Sequence, residues 1–153
     1  MRRVLLLAVM TAVVLPFAAR AQMKADFSGT WTLDAARSDA PMAGRGGGGG
    51  GGGRGPAGPV VIKQTATEIV IGPATYKLDG SPSMNEGRGG QIASKAKWDG
   101  AKLVIETTRD FQGMTITTKE TRSLSADGKD MTVESATTTP QGDVNRKTVF
   151  TKS

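Results

Sequence analysis

The sequence predicts an all-β domain: an antiparallel up-and-down meander of about eight to ten strands closing into a small barrel. Three observations carry that expectation. From Val60 to Thr151 the chain breaks into strand-length runs of 4 to 12 residues, rich in threonine and without helical periodicity. Turn signals separate the runs, among them Asp79-Gly80-Ser81-Pro82, Asp99-Gly100, Ala126-Asp127-Gly128-Lys129 and Pro140-Gln141-Gly142; an Asp-Gly pair supplies the positive φ of a tight hairpin. Upstream, Phe27, Gly29, Trp31 and Leu33 recur at alternate positions, the pattern of an opening strand with Trp31 plugging one end of the barrel. A meander of this size removes its exposed edges most simply by closing.

Ahead of that strand, residues 1–21 read as a removable signal peptide. Arg2 and Arg3 precede a short apolar run, Val4 to Leu15, and Ala19-Arg20-Ala21 supplies a small-x-small cleavage site. The run is short for a membrane span, so no integral membrane segment is expected in the mature chain. Export to the periplasm or the medium follows, with residues 22–153 forming one β-barrel domain. After the first strand, Asp34-Ala35-Ala36-Arg37-Ser38 suits a short turn of helix ended by Pro41. Residues 43–59 then form a glycine-rich stretch with an unbroken run from Gly46 to Gly53. Glycine loses the most backbone entropy on ordering and offers no side chain in return, so this insertion is expected to be a disordered loop. A phosphate cradle would need a preceding strand, a following helix and a lysine or serine at a set offset, none of which is present.

The remaining strands are expected at Val60–Thr65, Glu68–Ile71, Thr75–Leu78, Gln91–Trp98, Lys102–Phe111, Met114–Ser125, Met131–Thr139 and Asp143–Thr151. With the opening strand that makes about nine. Gly80–Gly90 reads as a connection long for a hairpin, either a mobile flap or a solvated link between two strands.

Composition narrows the function. The 153 residues contain no histidine and no cysteine. That removes the commonest general base and metal ligand, thiolate nucleophiles, zinc–thiolate sites and disulfides. Without residues 1–21, 17 basic residues face 14 acidic ones, a net charge of +3 with no basic run, so no nucleic-acid partner is expected. No paired carboxylates or Ser/Lys arrangement stands at catalytic spacing, so an enzyme is not expected and no cofactor is implied. Asp79, Ser81, Ser83 and Asn85 alternate somewhat like a calcium loop, but Pro82 interrupts them, and no metal site is assigned.

Strand alternation assigns an inward face. Leu103, Ile105, Thr107, Arg109 and Phe111 share one side; Met114, Ile116, Thr118, Glu120, Arg122 and Leu124 share another; Val144, Arg146, Thr148 and Phe150 share a third. Met131, Val133, Ser135 and Thr137 share a further face, as do Ile92, Ser94, Ala96 and Trp98, and Tyr76 and Leu78 fit the same scheme. Arg109, Glu120, Arg122 and Arg146 therefore point into the barrel, where an unpaired charge is costly. A net positive cavity would suit an anionic head group on an apolar ligand, with Ile105, Ile116 and Phe150 as apolar lining. A bulge in Met114–Ser125 would instead turn Glu120 and Arg122 to solvent.

Two motifs add a resemblance. Phe27-Ser28-Gly29-Thr30-Trp31 resembles the Phe-x-Gly-x-Trp opening of lipocalins and fatty-acid-binding proteins, and Trp98-Asp99-Gly100 resembles the Trp-Asp-Gly hairpin of the latter. The chain thus looks like a bacterial secreted lipocalin-like protein, a calycin-type barrel. The resemblance implies a cavity for a hydrophobic ligand, with Phe27, Gly29, Trp31, Trp98, Asp99 and Gly100 in structural roles. The closing Arg-x-Tyr of the fatty-acid-binding family, which grips the ligand carboxylate, is replaced by Thr148-Val149-Phe150. Arg146, two residues earlier on the same face, is the candidate substitute. The family's helical lid is also missing, with the glycine tract in its place.

Two functions follow as expectations: a monomeric exported carrier of a small hydrophobic or amphipathic, anionic ligand, or a filled barrel acting through its surface as an interaction or envelope-associated module.

Overall fold

In the computed structural model the described residues are 24–39, 58–87, 90–111 and 113–153. The signal segment and most of the glycine-rich stretch lie outside them. The described chain is all β: β1 (Gly29–Asp34), β2 (Val60–Gln64), β3 (Glu68–Ile71), β4 (Ala74–Lys77), β5 (Pro82–Gly87), β6 (Gly90–Asp99), β7 (Lys102–Phe111), β8 (Met114–Leu124), β9 (Asp130–Thr139) and β10 (Gly142–Lys152). They form one antiparallel sheet in the order β4-β3-β2-β1-β10-β9-β8-β7-β6-β5. β1 joins the two ends of the chain by pairing with both β2 and β10.

The result is a nearly closed meander barrel, consistent with a calycin-like fold. Among the described residues no helix is long and apolar enough to cross a membrane. Asp34–Ser38 makes turns and bends instead of the expected helical turn. Asp34 caps those turns by accepting from the Ala36 and Arg37 N–H groups. Ser38 and Asp39 then return to β10, through Ser38 Oγ with Val149 and Asp39 with Lys147.

The long connection expected at Gly80–Gly90 is corrected: Pro82–Gly87 is a strand, pairing with β6 from Pro82↔Lys95 to Gly87↔Gly90. Its inward residues Ser83 and Asn85 are as polar as its outward ones, so no hydrophobic alternation marks it. Pro82 stands first, where its missing N–H costs the ladder least.

The sheet leaves one seam, between β4 and β5, and side chains bridge it. The Asn85 carboxamide accepts from Thr75 N–H at 2.9 Å and donates to Thr75 C=O at 3.0 Å. Ser83 Oγ accepts from Lys77 N–H at 2.9 Å. Gly80 N–H bonds Ala96 C=O at 3.0 Å above them.

The barrel's two halves differ because its strands differ in length. β1 to β4 run four to six residues, whereas β6 to β10 run ten or eleven. Among the described residues β1 meets β10 only over Val149–Lys152, and the half holding Trp31 is the one it closes. That half is filled: Phe27, Trp31, Ile69, Leu103 and Met131 are fully buried, with Ile62, Ile105, Phe150 and Val133 nearly so. Each such aliphatic or Phe side chain contributes about 1.5–3 kcal/mol by leaving water.

Three aromatics, Phe27, Trp31 and Trp98, gather at the end of this half. The Phe27 ring stacks on Trp98 with centroids 6.1 Å apart, and Trp31 Nε1 donates to Phe27 C=O at 2.8 Å. Gln64 brackets the entering chain, accepting from Phe27 N–H and donating to Ala25 C=O. Gly29 has φ +139, and a Cβ there would stand 2.6 Å from Lys152 Cε. The missing side chain leaves room for Lys152, whose ammonium lies 5.4 Å from the Trp31 ring centroid.

Candidate functional site

The strand registers stack the interior into tiers. Nearest the closed end, Leu33, Phe150, Met131 and Leu124 are mutual neighbours on β1, β10, β9 and β8. The next tier is Trp98, Leu103, Arg122, Val133 and Thr148, running from β6 to β10. Below it come Ala96, Ile105, Glu120, Ser135 and Arg146. Ladder pairing along β8 is unbroken from Met114 to Leu124, so no bulge turns Glu120 and Arg122 outward.

Arg122 Nη2 and Glu120 Oε2 form a 2.7 Å ion pair, with side chains 12% and 24% exposed. Tyr76 reaches the same region from β4. Burial raises its phenol pKa most, the Glu120 carboxylate adds to that, and Arg122 opposes it. Arg146 is two strands from Glu120 along the tier, with Ser135 between them. Arg109 lies deeper in the open half, opposite Ile116.

The guanidinium groups are under-satisfied. The Nε atoms of Arg109, Arg122 and Arg146 are buried without a hydrogen-bond partner, as is Trp98 Nε1. Among the described residues Glu120 supplies the only carboxylate ion-paired to these three arginines. Three inward cations against one inward anion leave the interior net positive. Such groups offer planar, charge-assisted donors to a carboxylate or similar anion.

The expected lining divides between the two halves. Ile105 and Phe150 belong to the filled half, 2% and 7% exposed. Ile116, Arg109 and Arg146 are only half-buried, as are Ile92 and Met114. Among the described residues β1 pairs with β10 only over Val149–Lys152, which leaves Gly142–Thr148 without a β1 partner. Of the structural residues, Phe27 and Trp31 are at the closed end, and Trp98-Asp99-Gly100 forms the β6–β7 turn, with Gly100 at φ +62. Ser83 and Asn85 spend their oxygens on the seam rather than converging with Asp79, whose carboxylate accepts from Ser81 N–H. Strand alternation already sets Ser135 on the inward face with Met131 and Val133; what it does not carry is the register that places Ser135 between Glu120 and Arg146.

Outside the barrel, two open depressions of ≈ 470 and ≈ 460 Å³ lie along β8, β9 and β10 beside the 35–39 turn. Arg37, Asp130 and Val149 line one, Lys119, Glu134 and Asn145 the other, and Lys147 both. Arg37 pins the turn there, bonding Asp34 at 2.6 Å, Asp130 at 2.7 and 2.9 Å and Thr151 at 3.1 Å. These bonds raise the Arg37 pKa and hold both carboxyls below their usual range.

Comparison with protein-family models and with curated proteins finds no match to this chain.

Proposed function

We propose that this chain is an exported, lipocalin-like binding protein for a small hydrophobic ligand with an anionic head, seated in the open half of the barrel. The observation that carries this reading is the set of inward guanidiniums whose buried Nε atoms have no partner. A protein interior rarely keeps such donors unsatisfied without reason. Arg146 and Arg122 would hold the head group, Arg109 would add attraction at the open end, and Ile116, Ile92 and Met114 would take the apolar part. No step of bond making or breaking is implied.

The test is native mass spectrometry of the protein as purified, followed by titration with anilinonaphthalene sulfonate and displacement by long-chain carboxylates. Saturable binding weakened by Arg146→Met supports the reading. Absence of any saturable binding would overturn it.

A second reading has its own observation. The closed half is filled, and two open depressions lie on the outer face of β8–β10. These favour a surface interaction module, and the same titration decides between the two.

A further inference from the structure

One tier below Glu120, every strand from β5 to β9 turns a hydroxyl inward. Ser83 pairs with Ser94, Ser94 with Thr107, Thr107 with Thr118, and Thr118 with Thr137. The row is continuous across five strands and ends at Val144 on β10. Ser83, Ser94 and Thr118 are 7%, 3% and 6% exposed, so these are interior groups rather than surface threonines chosen for strand propensity.

Their internal bonding is incomplete. Ser94 and Thr107 share one hydrogen bond at 3.0 Å, and Thr118 and Thr137 another at 3.1 Å. Each pair uses one of its two hydroxyl protons. Ser83 Oγ accepts from Lys77 N–H, which leaves its own proton to donate. Among the described residues the row therefore keeps three hydroxyl protons without an acceptor. Thr107 and Thr137 are half-buried, one in each pair, so a plain alkyl chain lying across the row would strip water from their hydroxyls and return no partner.

Resting on the carrier reading above, we infer that the ligand is oxygenated: it carries a neutral hydroxyl, keto or ether oxygen about 7 Å from its anionic head, set by two residues of strand rise. The head sits at the Glu120–Arg146 tier, and the oxygen accepts from the row of Ser94, Thr107, Thr118 and Thr137. Discrimination is strong at such a site because a ligand lacking the oxygen leaves buried donors unpaired.

The test compares stearate with monohydroxystearates bearing the hydroxyl at successive carbons, each displacing anilinonaphthalene sulfonate from the delipidated protein. The expected result is about tenfold tighter binding of the isomer whose hydroxyl lies about 7 Å from the carboxylate, one hydrogen bond's worth. In Thr118→Val with Thr137→Val, which removes both partners of one bond, that preference falls to about onefold while stearate affinity holds. Ser94→Ala with Thr107→Val is the parallel variant should the first pair fail to fold. Equal binding of all isomers, or a preference surviving in both double variants, overturns the inference and leaves the carrier reading standing. Failure of every acid to displace the probe overturns both.

Discussion

The Asn85 carboxamide brackets the backbone of Thr75, accepting its N–H at 2.9 Å and donating to its C=O at 3.0 Å. A side-chain amide thus stands where the next strand's peptide would be, at the one place where neighbouring strands have no ladder. Asn85→Ala removes both bonds and is expected to cost about 1–2 kcal/mol. Asn85→Asp keeps the acceptor but sets a carboxylate oxygen against the Thr75 carbonyl, and is expected to cost at least as much. Urea unfolding with unchanged m-value measures both. Wild-type stability in either variant would show that the seam holds without Asn85.

Gly29 tests the closed end. With φ +139 and Lys152 Cε 2.6 Å from the place of a Cβ, Gly29→Ala strains the backbone and pushes Lys152 off the Trp31 ring. The expected loss is about 1–3 kcal/mol, mostly from the backbone because the lysine end can swing away. Tryptophan fluorescence reads the displacement and thermal unfolding reads the loss. Lys152→Met, which keeps the aliphatic stem, separates the two: it changes the emission with little change in stability.

Arg37 makes the outer clasp sensitive to acid. Asp34 and Asp130 have pKa values lowered chiefly by their hydrogen bonds to Arg37. A carboxyl whose folded pKa is depressed adds stability above its unfolded pKa, about 3.9 for Asp, and loses it as pH falls through the folded value. The stability gap between wild type and Arg37→Ala is therefore expected to be full above about pH 5 and to shrink as acid is added below it. Both carboxyls are at the surface, so added salt narrows the gap as well. A gap that does not change with pH would remove Asp34 and Asp130 as its source.

Much of this barrel could be read before any coordinates. Lys102–Phe111 and Glu68–Ile71 were legible to the residue because apolar, β-branched-rich runs lie between turn signals. Alternation also turned Glu120 and Arg122 to one face, and in the β8 ladder they pair with Ile105 and Leu103. β5 was illegible for the converse reason, since Ser83 and Asn85 face inward without an apolar residue to mark the side. The hydroxyl row was illegible on different grounds. Each threonine is compatible with its strand, and only the inter-strand register, which a linear sequence does not carry, aligns Ser83, Ser94, Thr107, Thr118 and Thr137 at one level. Arg37's partners at Asp130 and Thr151 needed the same long-range information.

Glu120 competes with any incoming anion for Arg122. Glu120→Gln leaves Arg122 without its carboxylate, and breaking a largely buried pair costs about 3–5 kcal/mol when water is excluded. Here both side chains retain some exposure, so a loss of about 2 kcal/mol is expected. On the carrier reading the same variant binds a long-chain carboxylate about tenfold more tightly, because the ligand takes over the vacated guanidinium. Calorimetric titration at fixed salt checks the affinity and urea unfolding the stability. Lower stability with unchanged affinity would make the pair a structural brace only.

Arg146 gives the sharpest separation between a working interior and an incidental charge. Its Nε is buried without a partner, and among the described residues no carboxylate pairs with it. A residue kept there for folding alone would be hard to account for, since an unpaired interior charge opposes the folded state. Arg146→Met retains most of the side chain's apolar stem while deleting the charge and the orphaned donor. The expected outcome is a stability gain of about 0.5–2 kcal/mol together with a loss of about tenfold or more in affinity for a long-chain carboxylate. Opposite movement of the two quantities is the signature of a group retained for binding at a cost in stability. If Arg146→Met instead destabilises the protein and leaves affinity untouched, the guanidinium serves the fold, and the anionic head group belongs elsewhere.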